Sequence, residues 1–217
     1  MTIEQLQRQL NILGFGPLVE DGKSGPKTID AIKRFQKSKA LLDDGKVGPN
    51  TLAALIGFPR KKGTLLTTRQ LTSKYGTPCN VENLTVINLP YPMRLAWDKT
   101  KYINRFEVHK AVAEKLTNVF KEILIHYGLQ KIKDLGIDLY GGCYNCRQMR
   151  GSTTKSVHSW GLAVDIDPER NALYTPFINS GFFKAEYAPM FQIFYNHGFI
   201  NLGLEANRDT MHFQIGS

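Results

Sequence analysis

A duplicated eight-residue motif is the feature of this sequence that most constrains its fold. Residues 21–28 read DGKSGPKT, and residues 44–51 read DGKVGPNT. In each copy Asp-Gly predicts a tight turn. The Pro after the second Gly predicts the first residue of a helix, where a missing N–H leaves no hydrogen bond unmade. The repeat therefore predicts two helices that each begin directly after a matched turn.

Apolar residues recur at helical spacing after each copy and also ahead of the first copy. Leu6, Leu10 and Leu13 predict an earlier amphipathic helix that ends at Gly14. The residues that show this spacing after the two copies are Ile29, Ile32, Phe35, Leu52 and Leu55. We therefore expect residues 1–57 to form a small domain of three short helices.

The composition is typical of folded globular domains. The 217 residues suffice for one or two domains. Hydrophobic residues make up 42% and charged residues 22%, which excludes wholesale disorder. No stretch approaches the roughly 18 consecutive apolar residues that span a membrane, and the first eight residues lack the apolar core of a secretory signal. We expect synthesis in the cytoplasm and no stable membrane insertion.

The formal net charge of +9 is concentrated in one short stretch. Residues 58–80 carry five basic and no acidic side chains, whereas residues 1–57 and 81–217 are nearly balanced. The run Arg60-Lys61-Lys62-Gly63 predicts a flexible basic linker, and residues 68–75 fit a short helix docked on the next domain. A basic chain favours a polyanionic partner. Nucleic-acid recognition calls for interleaved aromatic residues that this run lacks, so we expect no nucleic-acid partner.

Three cysteines, Cys79, Cys143 and Cys146, are too few and too odd in number for a disulfide framework. A chain made in a reducing compartment does not favour one either. The single C-x-x-C has no second ligand pair for a structural zinc site. It follows Gly141-Gly142, which we interpret as a turn, and does not open a helix as a thioredoxin-like site does. Whether Cys143 and Cys146 pair stays open.

Two further helices are predicted in the C-terminal part of the chain. Residues 105–127 carry an apolar stripe at helical spacing, and Gly128 supplies the stop. A second helix is expected from about Ala185 to His197. The histidines on or beside these helices are interpreted as packing or helix-end residues: His109, His126 and His197.

The two remaining histidines accompany predicted buried strands. Residues 162–166 (LAVDI) form a short apolar run that predicts a buried strand with Asp165 inside it. A buried carboxylate is unfavourable unless a cation compensates it. His158 lies in the loop before this strand, and His212 lies in another alternating segment. Two imidazoles and one carboxylate make a catalytic zinc set that leaves one position for water, with Asp209 free to act as a base.

The N-terminal motifs resemble those of a known family. Leu6-Gln7, Leu10 to Gly14, residues 21–28 and Arg34-Phe35-Gln36 follow the pattern of the three-helix type of peptidoglycan-binding domain. The resemblance covers residues 2–57 and implies a domain that binds the cell wall. A helical bundle without a ligand is the alternative, because the doubled motif itself determines the fold.

Two motifs in the second half of the chain carry another resemblance. Residues 158–165 read H-x-x-G-x-A-x-D, and residues 209–213 read D-x-M-H-F. From about Leu89 to Gln214 the chain resembles the zinc D-Ala-D-Ala carboxypeptidase and L-Ala-D-Glu endopeptidase family. The resemblance implies Zn²⁺ as the cofactor. The residues it implies as zinc ligands are His158, Asp165 and His212.

The same resemblance implies two further roles. Asp209 maps onto the catalytic carboxylate. The segments YGGCYNCR and RGS look like the part of the family that carries the active-site arginine. Arg147 is therefore the first candidate for stabilising the oxyanion, and Arg150 is the second.

Other residues near the motifs leave alternatives open or depart from the family. Ser156 either hydrogen-bonds the substrate or caps the loop. Asp167 is interpreted as orienting a neighbour or capping a turn. Residues 201–204 (NLGL) stand where many relatives carry tryptophans and paired glycines, so the wall of the substrate groove is expected to differ. The catalytic carboxylate is Asp209, whose arm is shorter than that of the Glu found in other members.

These features predict an α+β protein. We expect a three-helix domain over residues 1–57, a basic linker over residues 58–80, and an α+β zinc peptidase domain with a small antiparallel sheet over residues 81–217.

The expected function is that of a peptidoglycan hydrolase resembling a phage endolysin. It would be made without a signal peptide, act as a monomer and reach the wall through a holin. The first choice of scissile bond is L-Ala–D-Glu. The alternatives are a D-Ala–D-Ala carboxypeptidase or endopeptidase, and a non-catalytic wall-binding protein.

Overall fold

The structure, a computed structural model, describes residues 1–58 and 63–217. They belong to two compact units, Met1–Arg60 and Lys61–Ser217. The predicted α+β class is confirmed. The run Arg60-Lys61-Lys62, predicted as a flexible linker, lies outside the described residues.

The first unit contains the three predicted helices. Helix α1 spans Ile3–Ile12, α2 spans Pro26–Ser38 and α3 spans Pro49–Leu55. As the repeat predicts, α2 and α3 each begin with the proline of a motif copy, directly after its second glycine. The core contains Leu6, Leu10, Ala31, Ile32, Phe35, Ala54 and Leu55.

Each motif copy folds around one buried glutamine. The carboxamide of Gln7 accepts a hydrogen bond from the first Gly N–H of residues 21–28 at 2.9 Å and donates to three oxygens of the same motif. Gln36 makes the same four contacts with residues 44–51. A glutamine side chain from the preceding helix therefore holds each motif copy by hydrogen bonds. These bonds explain the geometry that the two copies share without a ligand.

The second unit is built on a six-stranded sheet. In chain order the strands are β1 Leu84–Leu95, β2 Asp98–His109, β3 Leu139–Gly142, β4 Ala163–Ile166, β5 Phe199–Asn201 and β6 His212–Ile215. Their order across the sheet is β2-β1-β3-β4-β6-β5. Strands β1 and β3 are parallel, and the other neighbours are antiparallel. The sheet is thus larger than the small antiparallel sheet expected, and it is mixed.

Four helices accompany this sheet in the described part of the second unit. They are α4 Thr68–Tyr75, α5 Ala113–Leu135, α6 Ala188–Asn196 and α7 Leu202–Ala206. The first of these lies where a short helix was expected. The helix predicted to end at His197 ends there, since His197 is the C-cap of α6.

The helix predicted over residues 105–127 is wrong in its first part. Residues up to His109 belong to β2, and α5 begins at Ala113. Phe106 and Val108 fit a period of two as well as the helical stripe, and pairing with β1 decides in favour of the strand. Gly128 does interrupt the helix at φ 69°, but a second helical segment follows it directly.

The apolar face of α5 forms the centre of the core with aromatic partners from the sheet. The ring of Phe120 packs edge-on against Tyr91 of β1, Phe106 of β2 and Phe194 of α6. This packing fixes the long β1–β2 hairpin and α6 on the same helix.

The cysteines pair in a way that the sequence analysis did not predict. Cys79 and Cys146 form a disulfide across a sequence separation of 67, with their Cα atoms 5.1 Å apart. Cys143 is a buried free thiol, so the two cysteines of the C-x-x-C are not joined to each other. Gly141-Gly142, interpreted as a turn, ends strand β3. The disulfide connects the segment between α4 and β1 with the loop that follows β3.

None of the helices in the described residues combines the length and the apolar character of a membrane span.

Candidate metal centre

Three buried side chains converge where β4 and β6, two interior strands of the sheet, lie side by side. His158 Nε2 lies 3.1 Å from His212 Nδ1 and 3.2 Å from Asp165 Oδ2. His212 Nδ1 lies 3.0 Å from Asp165 Oδ1. The structure therefore brings together the three residues that the sequence proposes as metal ligands.

Sheet register brings two of these residues together. Asp165 of β4 and His212 of β6 are directly opposed partners in an antiparallel pair. Directly opposed residues place their Cβ atoms about 4.5–5.5 Å apart on one face of a sheet. Gly141 lies on β3, the other neighbour of β4. A Cβ on this residue would lie 2.9 Å from Asp165 Cβ, so glycine leaves room for the Asp165 side chain.

A tight turn brings His158 to the same place. Residues Val157–Trp160 form a 3₁₀ helix, and Gly161 ends it with φ 70°. A Cβ on Gly161 would lie 2.8 Å from the His109 amide nitrogen. The glycine of the H-x-x-G motif is thus required both by its backbone conformation and by the close approach of β2.

Each histidine is oriented by a hydrogen bond from its outer nitrogen. His158 Nδ1 donates to the Cys143 carbonyl at 2.6 Å. His212 Nε2 donates to Gln214 Oε1 at 3.0 Å. The nitrogens that remain, His158 Nε2 and His212 Nδ1, are the ones that face Asp165. Metal-binding histidines in proteins are held in this way by acceptors on the far side of the ring.

The donor set fits a zinc ion. Two imidazole nitrogens and a carboxylate oxygen are a known catalytic zinc set, and metal–ligand bonds near 2.1 Å in tetrahedral geometry place donors about 3.4 Å apart. The donor separations of 3.0–3.2 Å are close to that value. Among the described residues, His158, Asp165 and His212 form the group that could hold a metal ion.

The site favours an ionised carboxylate. Burial alone would raise the pKa of Asp165, but the charges and hydrogen bonds of His158 and His212 hold it below its ordinary value. Burial lowers and the Asp165 carboxylate raises the pKa of His212, and the net shift is upward. The anionic Asp165 thus provides the negative charge that a cation at this position requires.

Asp209 lies beside this group, with a different environment. Burial, and then the nearby charge of Asp165, raises the pKa of its carboxyl, while His212 and His158 oppose that shift. Its Oδ1 atom is buried and has no hydrogen-bond partner within the described chain. A carboxylate with a raised pKa and an unused acceptor is suited to exchange protons.

Ser156 and Asp167 make structural contacts. Ser156 is the N-cap of the 3₁₀ helix, and its Oγ accepts a bond from His158 N at 3.4 Å. Asp167 Oδ2 accepts bonds from Arg170 Nε at 2.6 Å and from Asn171 Nδ2 at 3.2 Å. The capping alternative for Ser156 and the orienting role of Asp167 therefore have contacts that support them.

The two candidate arginines lie on the loop that leads into the 3₁₀ helix. Arg147 is half-buried, and its guanidinium donates to the Gln148 carbonyl at 3.2 Å. Arg150 is exposed in the next turn. In the described structure neither guanidinium makes a hydrogen bond to His158, Asp165 or His212.

Sequence reasoning missed two of the groups that orient the histidines. Gln214 follows His212 by two positions, and alternation along a strand places such residues on one face, so this signal was present. The Cys143 carbonyl carries no side-chain signal at all. The contact depends on how the loop after β3 folds back.

Fold and site together define an α+β unit with a buried His-Asp-His group of metal-binding type, in a chain that also contains a three-helix unit. Two family models match the chain. Residues 2–55 match the peptidoglycan binding domain family, and residues 150–215 match the D-alanyl-D-alanine carboxypeptidase family.

These matches confirm both resemblances found in the sequence, and together they support a peptidoglycan hydrolase. The second matched segment contains Arg150, Ser156 and the three converging residues, whereas Arg147 lies before it. No curated protein sequence gives a significant match to the chain.

Proposed function

We propose that this protein is a zinc peptidase that cuts the stem peptide of peptidoglycan while its N-terminal unit holds the wall. The convergence of His158, Asp165 and His212 carries the proposal, because the outer nitrogens of the two histidines already have acceptors and the donor atoms of all three residues lie within 4.8 Å of one another. The domains proposed are residues 1–57, 58–80 and 81–217. Holding an insoluble substrate raises the local concentration of scissile bonds.

Each residue of the site has a proposed part in hydrolysis. A zinc ion bound by His158, Asp165 and His212 would lower the pKa of a water molecule and polarise the scissile carbonyl. Asp209 accepts the proton of the attacking water and delivers it to the leaving amine. Arg147, or Arg150 in its place, donates to the developing oxyanion. Ser156 holds His158 in place and is also proposed to contact the substrate.

The first proposed target is the L-Ala–D-Glu bond. The D-Ala–D-Ala bond is the second candidate, favoured by the description of the family that matches residues 150–215. Mass spectrometry of fragments released from purified peptidoglycan separates the two, because new N-terminal D-Glu indicates the first and released D-Ala the second.

The matched experiment compares His158→Ala, Asp209→Ala and His126→Ala. His126 is exposed and lies outside the site, so its variant should release fragments as the wild type does. His158→Ala should lose both release and zinc, whereas Asp209→Ala should lose release and keep zinc. Full wall hydrolysis by the first two variants, or by chelator-treated wild type, would contradict the proposal.

An endolysin-like role is also proposed. In that role the protein acts on the wall from within a host cell, after a holin opens the membrane. Production in a bacterial host should cause lysis when the membrane is permeabilised. Lysis of equal extent in cells with an intact membrane would contradict release through a holin.

A further inference from the structure

Asn201 connects the end of β5 with the turn that carries Asp209 and His212. It is fully buried. Its Nδ2 donates to the Thr210 carbonyl at 2.8 Å and to the His212 carbonyl at 3.2 Å. Its Oδ1 accepts a bond from Gly203 N at 2.8 Å. The donors of this carboxamide are thus directed to main-chain carbonyls of the turn beside the candidate metal centre, and its oxygen caps the N-terminus of α7.

The turn held by Asn201 has an unusual main-chain conformation. Asp209 has φ 55°, a left-handed value that is uncommon for a residue with a side chain. His212 N donates to the Asp209 carbonyl at 3.0 Å, and Met211 N donates to the Asn171 carbonyl at 3.1 Å. A residue held in this region needs support from its surroundings, and Asn201 supplies that support from the β5 side.

The position of the Asp209 carboxylate depends on this main chain. Its buried Oδ1 has no hydrogen-bond partner in the described residues. No side chain bonded to that oxygen holds the carboxylate, so its position depends on the main chain that carries it and on the Asp209 rotamer.

The fit around Asn201 leaves little freedom for repacking. A Cβ on Gly203 would lie 2.6 Å from Thr210 Oγ1 and 2.8 Å from Asn201 Oδ1. The chain after β5 and the turn before β6 are therefore in direct contact. Asparagine supplies both a donor pair and an acceptor, whereas aspartate of the same shape would turn a carboxylate oxygen toward two carbonyl oxygens.

We propose that Asn201 is a positioning residue for Asp209, acting through the main chain of the 209–212 turn. This inference rests on the proposed function, in which Asp209 moves the proton. The His212 ring has its own supports, namely Gln214 and the pairing of β6 with β4. Loss of the Asn201 bonds should therefore displace the base and leave metal binding nearly unchanged.

The test is Asn201→Asp in the full chain, with the zinc-loaded enzyme and a soluble disaccharide stem peptide as substrate. We expect kcat to fall about 10- to 100-fold, since displacement of a reacting group by about 1 Å has an effect of that order. KM and the zinc dissociation constant, the latter measured by competition with a chelator, should stay within about threefold of wild type.

Asn83→Asp is the matched control. Asn83 also donates from its carboxamide to a main-chain carbonyl, that of Tyr75, at 3.3 Å, and it lies outside the site. This variant should keep the wild-type kcat. Asn201→Ser keeps one donor, and it serves as the test if Asn201→Asp fails to fold. It should show a smaller loss that is again confined to kcat.

Two results would overturn the inference. One is a folded Asn201 variant with wild-type kcat. The other is a loss of zinc affinity or a rise in KM that parallels the loss in kcat, which would show a general loosening of the site. Wild-type protein that cleaves no stem peptide would instead refute the proposed function, so the two failures are distinguishable.

Discussion

His212 and Gln214 lie two residues apart on β6, and the Gln214 carboxamide oxygen receives the outer N–H of the His212 ring at 3.0 Å. This bond fixes the tautomer that leaves Nδ1 available to a metal ion. Gln214→Leu should weaken zinc binding about 10- to 100-fold, as loss of such supporting bonds does elsewhere. Chelator competition measures the effect directly.

Gln214→Glu provides a comparison for that prediction. A carboxylate can accept the same N–H, so this variant should retain most of the zinc affinity. Equal affinities for wild type and Gln214→Leu would show that the bond does not support the metal centre.

The two segments that the disulfide joins both hydrogen-bond to the 3₁₀ helix that carries His158. Cys79 N donates to the Ser159 carbonyl at 2.7 Å, and on the other side Arg147 N donates to Ser159 Oγ at 3.0 Å. Reduction should lower the free energy of unfolding of this unit by about 2–4 kcal/mol. Urea unfolding with and without dithiothreitol measures the change.

The double variant Cys79→Ser/Cys146→Ser should be insensitive to dithiothreitol. Cys143→Ala should keep the sensitivity, because burial raises the pKa of the Cys143 thiol and leaves it a neutral, unpaired group. Identical unfolding midpoints for oxidised and reduced wild type would refute the prediction.

Gln36 closes the second copy of the repeated motif. Gln36→Leu leaves the Gly45 N–H and the Lys46 carbonyl without their side-chain partner. Loss of such buried bonds should reduce local stability by about 2–3 kcal/mol. Hydrogen exchange of residues 26–58 in the full chain should accelerate accordingly, and Gln7→Leu should act equally on the first copy.

Lys37→Ala is the control for the Gln36 variant. Lys37 is exposed on the same helix, and its removal should leave exchange unchanged. Hydrogen exchange in the Gln36 variant as slow as in the wild type would mean that the stability of the motif does not depend on the glutamine.

Tyr127 should make stability sensitive to alkaline pH. Its hydroxyl donates to the Glu186 carbonyl at 2.8 Å and accepts from Met190 N at 3.0 Å. Burial raises the pKa of Tyr127 to about 12. The unfolded chain releases this proton near pH 10, as an ordinary tyrosine does. The contribution of the Tyr127 hydroxyl to the free energy of unfolding is therefore complete below about pH 10, and it is lost as the pH rises to about 12.

Tyr127→Phe has no phenolic proton to lose. Its free energy of unfolding should fall less steeply than that of wild type between about pH 10 and about pH 12, as urea unfolding at each pH would show. Tyr102→Phe, at an exposed position, is the control and should follow the wild type. Equal slopes for Tyr127→Phe and wild type would exclude the proposed dependence.

Local patterns in the sequence predict the parts of this protein that local physics determines. The two D-G-x-x-G-P copies give the starts of α2 and α3, because turn and proline geometry act within a few residues. The strand around Asp165 follows from its apolar run. The pattern predicts a helix from Arg105 onward, although residues 105–109 are the end of β2, because the pairing of this strand with β1 is a non-local interaction.

The site divides in the same way. The residues His158, Asp165 and His212 were predicted because their types and motifs identify them. The disulfide between Cys79 and Cys146 joins segments that are distant along the chain. The contacts of Asn201 involve main-chain groups that belong to no recognisable sequence motif. Such contacts are set by tertiary packing, which spacing alone does not determine.

The position of the disulfide determines where a truncated form of the second unit should begin. The segment that matches the peptidase family starts at residue 150. The disulfide and the hydrogen bond that hold the His158 turn, however, involve Cys79. The Trp160 indole also donates to the Gly76 carbonyl at 2.7 Å. A truncated form of the second unit intended for fusion to another module should therefore begin ahead of α4, so that it retains the Cys79–Cys146 disulfide next to the candidate metal site.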